Sequence, residues 1–368
     1  MLINLDEARY LTSRTIDPCP ETDPFKRATL LKKEHGEFSR AVAELLDARA
    51  GGKLPSHWYA DSDSAQQATP LPVAQVRFNR IREVLGSPRV HDVTCSIGTE
   101  GSAAAGLEYF GSDLSLPRLT MAKANVTGHF FQADALRPPM TADVVIADPA
   151  RRAGGRRITA PKDLIPPLPD LLAAISGEAA IKCAPGIDYT SWEGLVSVVS
   201  VDGGVKEACL YTPGLAGGIT REAVVIRGSG VDKLSDALPS ADELAAPHGT
   251  YLIDPDGAIV RAGLVRQFAV REGLWMLDER IAYLTGDRIP DGYTGFPILE
   301  QVPLKKLKSA LASYQPGSLE ILVRGVDIDP DALRKKLRPR GERPMAVVVT
   351  RIGSQGVAFI CGARGVGS

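Results

Sequence analysis

Between Val90 and Arg152 the chain carries four short motifs, each an apolar run that ends in an acidic residue or a turn of small residues. The runs are Val90-His91-Asp92, leading into Val93-Thr94-Cys95-Ser96-Ile97-Gly98-Thr99-Glu100; Phe110-Gly111-Ser112-Asp113; Gln132-Ala133-Asp134-Ala135; and Val144-Val145-Ile146-Ala147-Asp148-Pro149-Ala150-Arg151-Arg152. Such spacing predicts strands at 89–93, 108–112, 130–131, 143–147 and 179–183, with helices at 101–107, 117–125 and 168–175 between them. Pro117 sits where a helix begins, and Pro185-Gly186 closes the fifth strand. Runs at 197–200, 207–211 and 223–227 read as an antiparallel group that follows. Strands alternating with helices mean an α/β fold, a mostly parallel sheet with helices on both faces.

The flanking segments differ. Residues 1–85 read as helical: Asp23-Pro24-Phe25-Lys26 opens a stretch with Leu30, Leu31, Phe38, Val42, Leu45 and Leu46 at helical spacing, which ends at Gly51-Gly52. After the linker Gln66-Gln67-Ala68-Thr69-Pro70, Val73, Val76, Phe78 and Ile81 begin another helix. Further on, Asp254-Pro255-Asp256-Gly257 is a turn between expected strands at 251–253 and 258–260, and a helix is expected near 274–284. The end gives a strand at 320–324, a helix at 330–337 and strands at 345–350 and 355–361, a small α+β unit. The expected division is 1–85, a sheet domain at 86–228, a connection at 229–295 and the α+β unit at 296–368.

A chain of 368 residues suits two or three domains. No apolar run approaches the roughly 20 residues that cross a bilayer, and Met1-Leu2-Ile3-Asn4-Leu5-Asp6-Glu7 has no basic leader, so neither a span nor a secretory signal is expected. Cys19, Cys95, Cys183, Cys209 and Cys361 never fall in C-x-x-C spacing, which excludes a zinc ribbon and fits a reducing, cytoplasmic setting. His35, His57, His91, His129 and His248 form no ligand-spaced cluster, so no metal is expected. From 296 to 368 there are twelve Lys plus Arg against six Asp plus Glu, although the whole chain has a formal net charge of −1. A basic end beside an acidic body suits a polyanionic partner; a solvated surface has the same composition.

The strand-end residues suggest a ligand. A turn of small residues lets backbone approach, and Thr94-Cys95-Ser96-Ile97-Gly98 follows Asp92 directly. Asp113 lies 21 residues beyond Asp92, where a carboxylate takes both hydroxyls of a ribose. Asp134, another 21 residues on, would accept from an adenine amine, with Ala135 donating its N–H, while Asp92 and the turn would hold an amino-acid carboxylate and ammonium. The same acids also suit helix and turn capping. The first turn lacks G-x-G-x-x-G, which counts against a nicotinamide cofactor; the set points to S-adenosylmethionine.

These motifs resemble the class I S-adenosylmethionine-dependent methyltransferases, and most of all an actinobacterial group with a helical N-terminus and a THUMP-like C-terminal domain. The resemblance rests on Ala68-Thr69-Pro70, residues 92–98, 111–114 and 148–152, residues 181–186, and Arg324-Gly325-Val326-Asp327-Ile328-Asp329-Pro330. It implies a Rossmann-like seven-stranded sheet and a cofactor site of Thr69, Asp92, Thr94, Cys95, Ser96, Gly98, Thr99, Asp113, Leu114, Asp134 and Ala135. The Thr-Pro segment, first turn and Asp-Pro motif are also similar to RNA-cap trimethylguanosine synthases. There a Trp closes the fourth motif and stacks on guanine; Arg151 stands in its place here, so cap recognition does not transfer.

Base N-methyltransferases carry Asp, Asn or Ser-Pro-Pro-aromatic after strand four, where the acid and nearby carbonyls orient the acceptor amine. By this resemblance Asp148 orients the acceptor and Pro149 fixes the turn. Ala150-Arg151 replaces Pro-aromatic, and the planar guanidinium of Arg151 or Arg152 could stack on a base instead. Arg151, Arg152, Arg156 and Arg157, broken by Gly154-Gly155, suit the phosphates beside a target nucleotide; pairing with acids or simple solvation is the competing reading. The THUMP-like resemblance implies an RNA partner, and Lys305-Lys306-Leu307-Lys308 and Arg334-Lys335-Lys336-Leu337-Arg338 fit it. Methylation of an exocyclic or ring nitrogen of an RNA base is the expectation. Three alternatives stay open: a pyrimidine C5-methyltransferase with Cys183 as nucleophile and Glu222 as base, suggested by Cys183-Ala184-Pro185; a small-molecule methyltransferase; and a non-catalytic RNA-binding scaffold.

Overall fold

The computed structural model describes residues 3–150, 152–153, 156–157, 160–228 and 230–367. They divide into two units: unit 1 is Met1–Ser197 with Glu207–Thr220, and unit 2 is Val198–Lys206 with Arg221–Ser368. Among the described residues no helix is long and apolar enough to cross a membrane.

Unit 1 opens with α1 (Leu5–Thr12), α2 (Pro24–His35), α3 (Ser39–Ala50), α4 (Ser62–Gln67) and α5 (Leu71–Leu85). Local chemistry sets their starts. Asn4 and Glu7 form a reciprocal capping box on α1, and Asp61 and Ser64 form one on α4. Asp23 caps α2 with Pro24 in its first turn, and Gly36, at φ 56°, separates α2 from α3. Ala8, Leu11, Leu31, Val42, Leu45 and Trp58 pack together with Ile97 and Met121, which ties the helical region to the sheet region.

The sheet region follows as β1 (Arg89–Asp92), β2 (Glu108–Asp113), α6 (Leu116–Asn125), β3 (His129–Gln132), β4 (Val144–Ala147), the ribbon β5 (Arg152–Ala153) and β6 (Arg156–Arg157), α7 (Leu168–Ala174), β7 (Glu178–Cys183), β8 (Leu195–Val201) and β9 (Gly204–Tyr211). Seven strands run in the order β8-β9-β7-β4-β1-β2-β3, and in unit 2 β10 (Arg221–Arg227) pairs antiparallel with β11 (Gly230–Ser235). Residues 144–147 are buried throughout, as a central parallel strand covered on both faces must be. β1 pairs in parallel with β2 and β4, β2 with β3, and β4 with β7, whereas β9 runs antiparallel to β7. The register matches Asp92 with Gly111 and Ile146, Asp113 with Gln132, and Ala147 with Ile181. The carboxyl ends of β1, β2, β4 and β7 therefore share one edge, the usual ligand edge of an open α/β sheet.

Unit 2 contains a second sheet, built from β12 (Tyr251–Ile253), β13 (Trp275–Asp278), β14 (Ile281–Gly286), β15 (Thr294–Pro303), β16 (Pro316–Val323), β17 (Arg343–Ile352) and β18 (Gln355–Gly362), with β19 (Gly365–Val366) on β15. Their order is β13-β14-β12-β15-β18-β17-β16. Its helices are α8 (Gly257–Ala262), α9 (Val265–Glu272), α10 (Leu307–Ala312) and α11 (Pro330–Leu337); α11 connects the parallel pair β16 and β17. Asp329 caps α11, and Leu333 and Leu337 pack toward Val347 and Val349.

Three sequence expectations are corrected. The helix at 101–107 is a single 3₁₀ turn, Glu100–Ala103, because the chain must re-enter the sheet at Glu108 and Gly106 takes φ 82°. The strand at 258–260 is helical: Asp256 accepts the Ala258 N–H at 2.8 Å and starts α8 rather than closing a hairpin. The helix near 274–284 is the β13–β14 hairpin, since Gly273 ends α9 in the left-handed region and Asp278 caps the turn through Arg280 N–H at 2.9 Å.

Candidate active site

A cleft of about 530 Å³ opens at the shared strand edge of unit 1. Its walls include Asp92, the turn from Val93 to Ile97, Thr99, Glu100, Asp113, Leu114, Asp134, Ala135, Asp148 and Lys182. Of the expected cofactor residues, all but Thr69 and Gly98 line it. Thr69 is buried behind the wall, where its hydroxyl meets the Lys182 ammonium. Gly98 shapes the turn from outside the cleft: it sits at φ 88°, and a Cβ there would lie 2.8 Å from Val126 Cγ2.

The turn is organised by carboxylates. Asp113 accepts the Ser96 N–H at 3.0 Å and the Ser115 N–H at 2.8 Å, one on each oxygen. Each oxygen keeps acceptor capacity, since a carboxylate offers about four lone-pair sites. Ser96 itself takes φ 50°, a left-handed conformation held by that bond. Asp92 is buried and accepts from Thr94 N–H at 3.1 Å and the Tyr109 hydroxyl at 3.2 Å. Burial and the nearby Glu100 push its carboxyl up to about 7. Asp134 is exposed and caps its own turn, accepting the Leu136 N–H at 2.9 Å.

At the far end, the Asp148 N–H donates to Thr94 Oγ1 at 2.7 Å, which joins the fourth motif to the first. Pro149 is buried beside it. Ala150 exchanges backbone hydrogen bonds with Ile165 at 2.7 and 3.3 Å, so Ile165, Pro166 and Pro167 form an apolar wall of the cleft. Arg151 lies outside the described residues. So do the side chains of Arg152, Arg156 and Arg157, whose backbones form the β5–β6 ribbon.

Four charged residues to which the sequence motifs assign no role complete the site. The Lys182 ammonium lies 2.8 Å from Asp148 Oδ2 and 3.1 Å from Glu100 Oε1. Arg77 meets Glu100 Oε2 at 3.0 Å and Glu207 Oε1 at 2.8 Å. Burial alone would raise Glu100, but Arg77 and Lys182 bring it down to about 2. Burial opposes the charge on Lys182, yet Asp148 and Glu100 hold its pKa above the ordinary value. One signal was present in the sequence: Lys182 is the lone charge in the apolar run Ala179-Ala180-Ile181-Lys182-Cys183, and charged residues are almost never fully buried unless paired. Cys183 is fully buried and does not line the cleft; Glu222 is buried in β10.

A Rossmann-like sheet with acids at adjacent strand ends defines a nucleoside-binding α/β enzyme. Comparison with known proteins specifies the class. Two uncharacterized S-adenosylmethionine-dependent methyltransferases of Mycobacterium tuberculosis, strains CDC 1551 / Oshkosh and ATCC 25618 / H37Rv, are each 45% identical over 344 residues, covering 86% of this chain and 94% of theirs. The crystal structure of a methyltransferase candidate from Porphyromonas gingivalis W83 shares the fold at a TM-score of 0.66 with 18% identity, across 99% of this chain and 100% of that one. Residues 293–363 match the family model "THUMP domain-like". The chain belongs to the S-adenosylmethionine-dependent methyltransferases, and it carries a THUMP-like domain in its C-terminal part.

Proposed function

We propose that the protein N-methylates a base of tRNA or rRNA, with the cleft holding the methyl donor and Asp148 orienting the acceptor. The observation that carries this reading is the placement of Asp148 on the same strand edge, and in the same cleft, as Asp92 and Asp113. Asp113 would take the ribose hydroxyls, Asp92 and the Thr94–Ser96 backbone the amino-acid end, and Asp134 with Ala135 the adenine. Thr94, Cys95, Ser96, Thr99 and Leu114 supply the walls, and Gly98 and Thr69 support them from behind. S-adenosylmethionine brings a methyl group on sulfonium, already activated for in-line transfer. The protein's part is then to orient the acceptor nitrogen and exclude water.

Asp148 forms an ion pair with Lys182, so its charge is already balanced and a neutral acceptor such as a nucleobase amine leaves no charge uncompensated. Ile165, Pro166 and Pro167 supply apolar surface in the same cleft as Asp148.

RNA is favoured by the C-terminal part. Between α10 and α11 one groove is lined by Lys305, Lys308 and Lys336, and its neighbour by Lys308, Arg338 and Arg340. Lysine and arginine clustered on a groove suit a phosphate backbone. Arg151, Arg152, Arg156 and Arg157 would add contacts beside the target nucleotide. The five cysteines form no disulfide, in keeping with the reducing cytoplasm where such an RNA would be met. C5-methylation is the weaker reading, because a nucleophile must touch the base and Cys183 is wholly buried.

The test is mass mapping of modified nucleosides in total RNA from a strain lacking the gene. Loss of one N-methylated nucleoside, restored by the wild-type gene and not by D148A, is expected. Survival of every methylated nucleoside would redirect the search to small molecules.

A further inference from the structure

We propose that Lys182 is the positioning residue of the acceptor site: its buried ammonium locks the Asp148 carboxylate in the orientation that receives the methyl acceptor. This rests on the reading of Asp148 given above.

The geometry around the ammonium is closed. An ammonium has three N–H donors, and Lys182 directs them to Asp148 Oδ2 at 2.8 Å, Glu100 Oε1 at 3.1 Å and Thr69 Oγ1. Three acceptors around one atom suit the point charge of lysine and not the planar fork of arginine. Glu100 is in turn held by Arg77, and Arg77 by Glu207, so a chain of alternating charges runs from β9 through α5 to the cleft. The side chains of Lys182, Glu100, Arg77 and Glu207 are each at most 5% exposed, whereas that of Asp148 is 26% exposed. The ladder is buried along its length, and its most exposed end is Asp148.

Strand register explains how the two residues meet. Ala147 faces Ile181 across the β4–β7 pair, so Asp148 and Lys182 lie at the next matched position, one just past its strand and the other still within it. Stability alone does not explain a buried charged ladder, because replacing a whole buried ion pair by apolar residues of similar volume is often neutral or stabilising. What the cation does add is a fixed direction for Asp148, the most exposed of the ladder carboxylates in the cleft.

Two experiments decide it. Crystal structures of K182M and K182R bound to S-adenosylhomocysteine need no acceptor: the ligand should keep its pose while the Asp148 carboxylate turns away in K182M. An Asp148 that stays where it is in K182M overturns the proposal. The second is a double-mutant cycle, with RNA from the gene-deletion strain as acceptor and labelled S-adenosylmethionine as donor. K182M should lower kcat by about tenfold or more, and K182R by less. In a D148N background K182M should add less than about twofold. Equal losses in both backgrounds would mean that Lys182 acts independently of Asp148, and the proposal fails. If K182M does not fold, K182R takes its place in the cycle, with a smaller loss in the D148N background supporting the proposal and an equal loss refuting it. Wild-type enzyme that leaves the RNA unlabelled would count against the RNA substrate, while the crystal structures still judge Lys182.

Discussion

Burial raises Asp92 to about 7, Glu100 adds to the rise, and Lys182, the Thr94 N–H and the Tyr109 hydroxyl only partly oppose it. A ligand ammonium would favour the ionised form, so binding should release a proton near neutrality. S-adenosylhomocysteine affinity, measured by calorimetry, should therefore tighten as pH rises from 6 to 7, by up to about tenfold per unit, and level off above pH 8. In D92N that pH dependence should vanish; a flat profile in the wild type would remove Asp92 from the ammonium site. At Asp113, D113A should weaken the same ligand by about a hundredfold, because two charge-assisted hydrogen bonds are lost and the Ser96 and Ser115 N–H groups lose their acceptor. Asp113 was legible in the sequence because its spacing from Asp92 follows from strand and crossover lengths. Lys182, Glu100, Arg77 and Glu207 were not, because what unites them is proximity across 130 residues, which no local pattern encodes.

The turn from Val93 to Gly98 is the element on which the cleft depends. Gly98 takes φ 88° with Val126 Cγ2 in the space of a side chain, so Gly98→Ala combines backbone strain with a clash. A loss of about 2–3 kcal/mol in chemical denaturation is expected, together with weakened ligand binding. Gly106 provides the contrast: its φ is 82° but nothing lies near its Cβ position, so Gly106→Ala should cost only about 1 kcal/mol and spare binding. Equal effects at the two sites would show that Val126 imposes no constraint. Strands β1, β2, β4 and β7 were readable because central parallel strands are short apolar runs closed by turn residues. Two of the three misread segments share a cause: at 258–260 and 274–284 the apolar pattern suits either helix or strand, and single caps at Asp256 and Asp278 decide between them.

Across the whole molecule, the Glu207–Arg77–Glu100–Lys182–Asp148 chain couples the stability of unit 1 to the geometry of its cleft. R77M would leave Glu100 and Glu207 buried without their shared cation, and a destabilisation of about 3–5 kcal/mol in urea is expected. Glu100 has its folded-state pKa depressed to about 2 from an ordinary value of 4.5, so its contribution is complete above about pH 4.5 and is lost as pH falls toward 2. Acid unfolding of the wild type should steepen in that window, and E100Q should flatten it. The strand–helix alternation made the sheet of unit 1 legible, and the run at 223–227 announced β10, whereas β11 carries no motif to announce it. The central claim is that the cleft holds the methyl donor by its ribose and presents the methyl to Asp148. The most direct measurement is a crystal structure with S-adenosylhomocysteine: the account predicts both ribose hydroxyls on Asp113 and the sulfur facing Asp148. A ligand bound elsewhere, or one whose ribose turns away from Asp113, would contradict it.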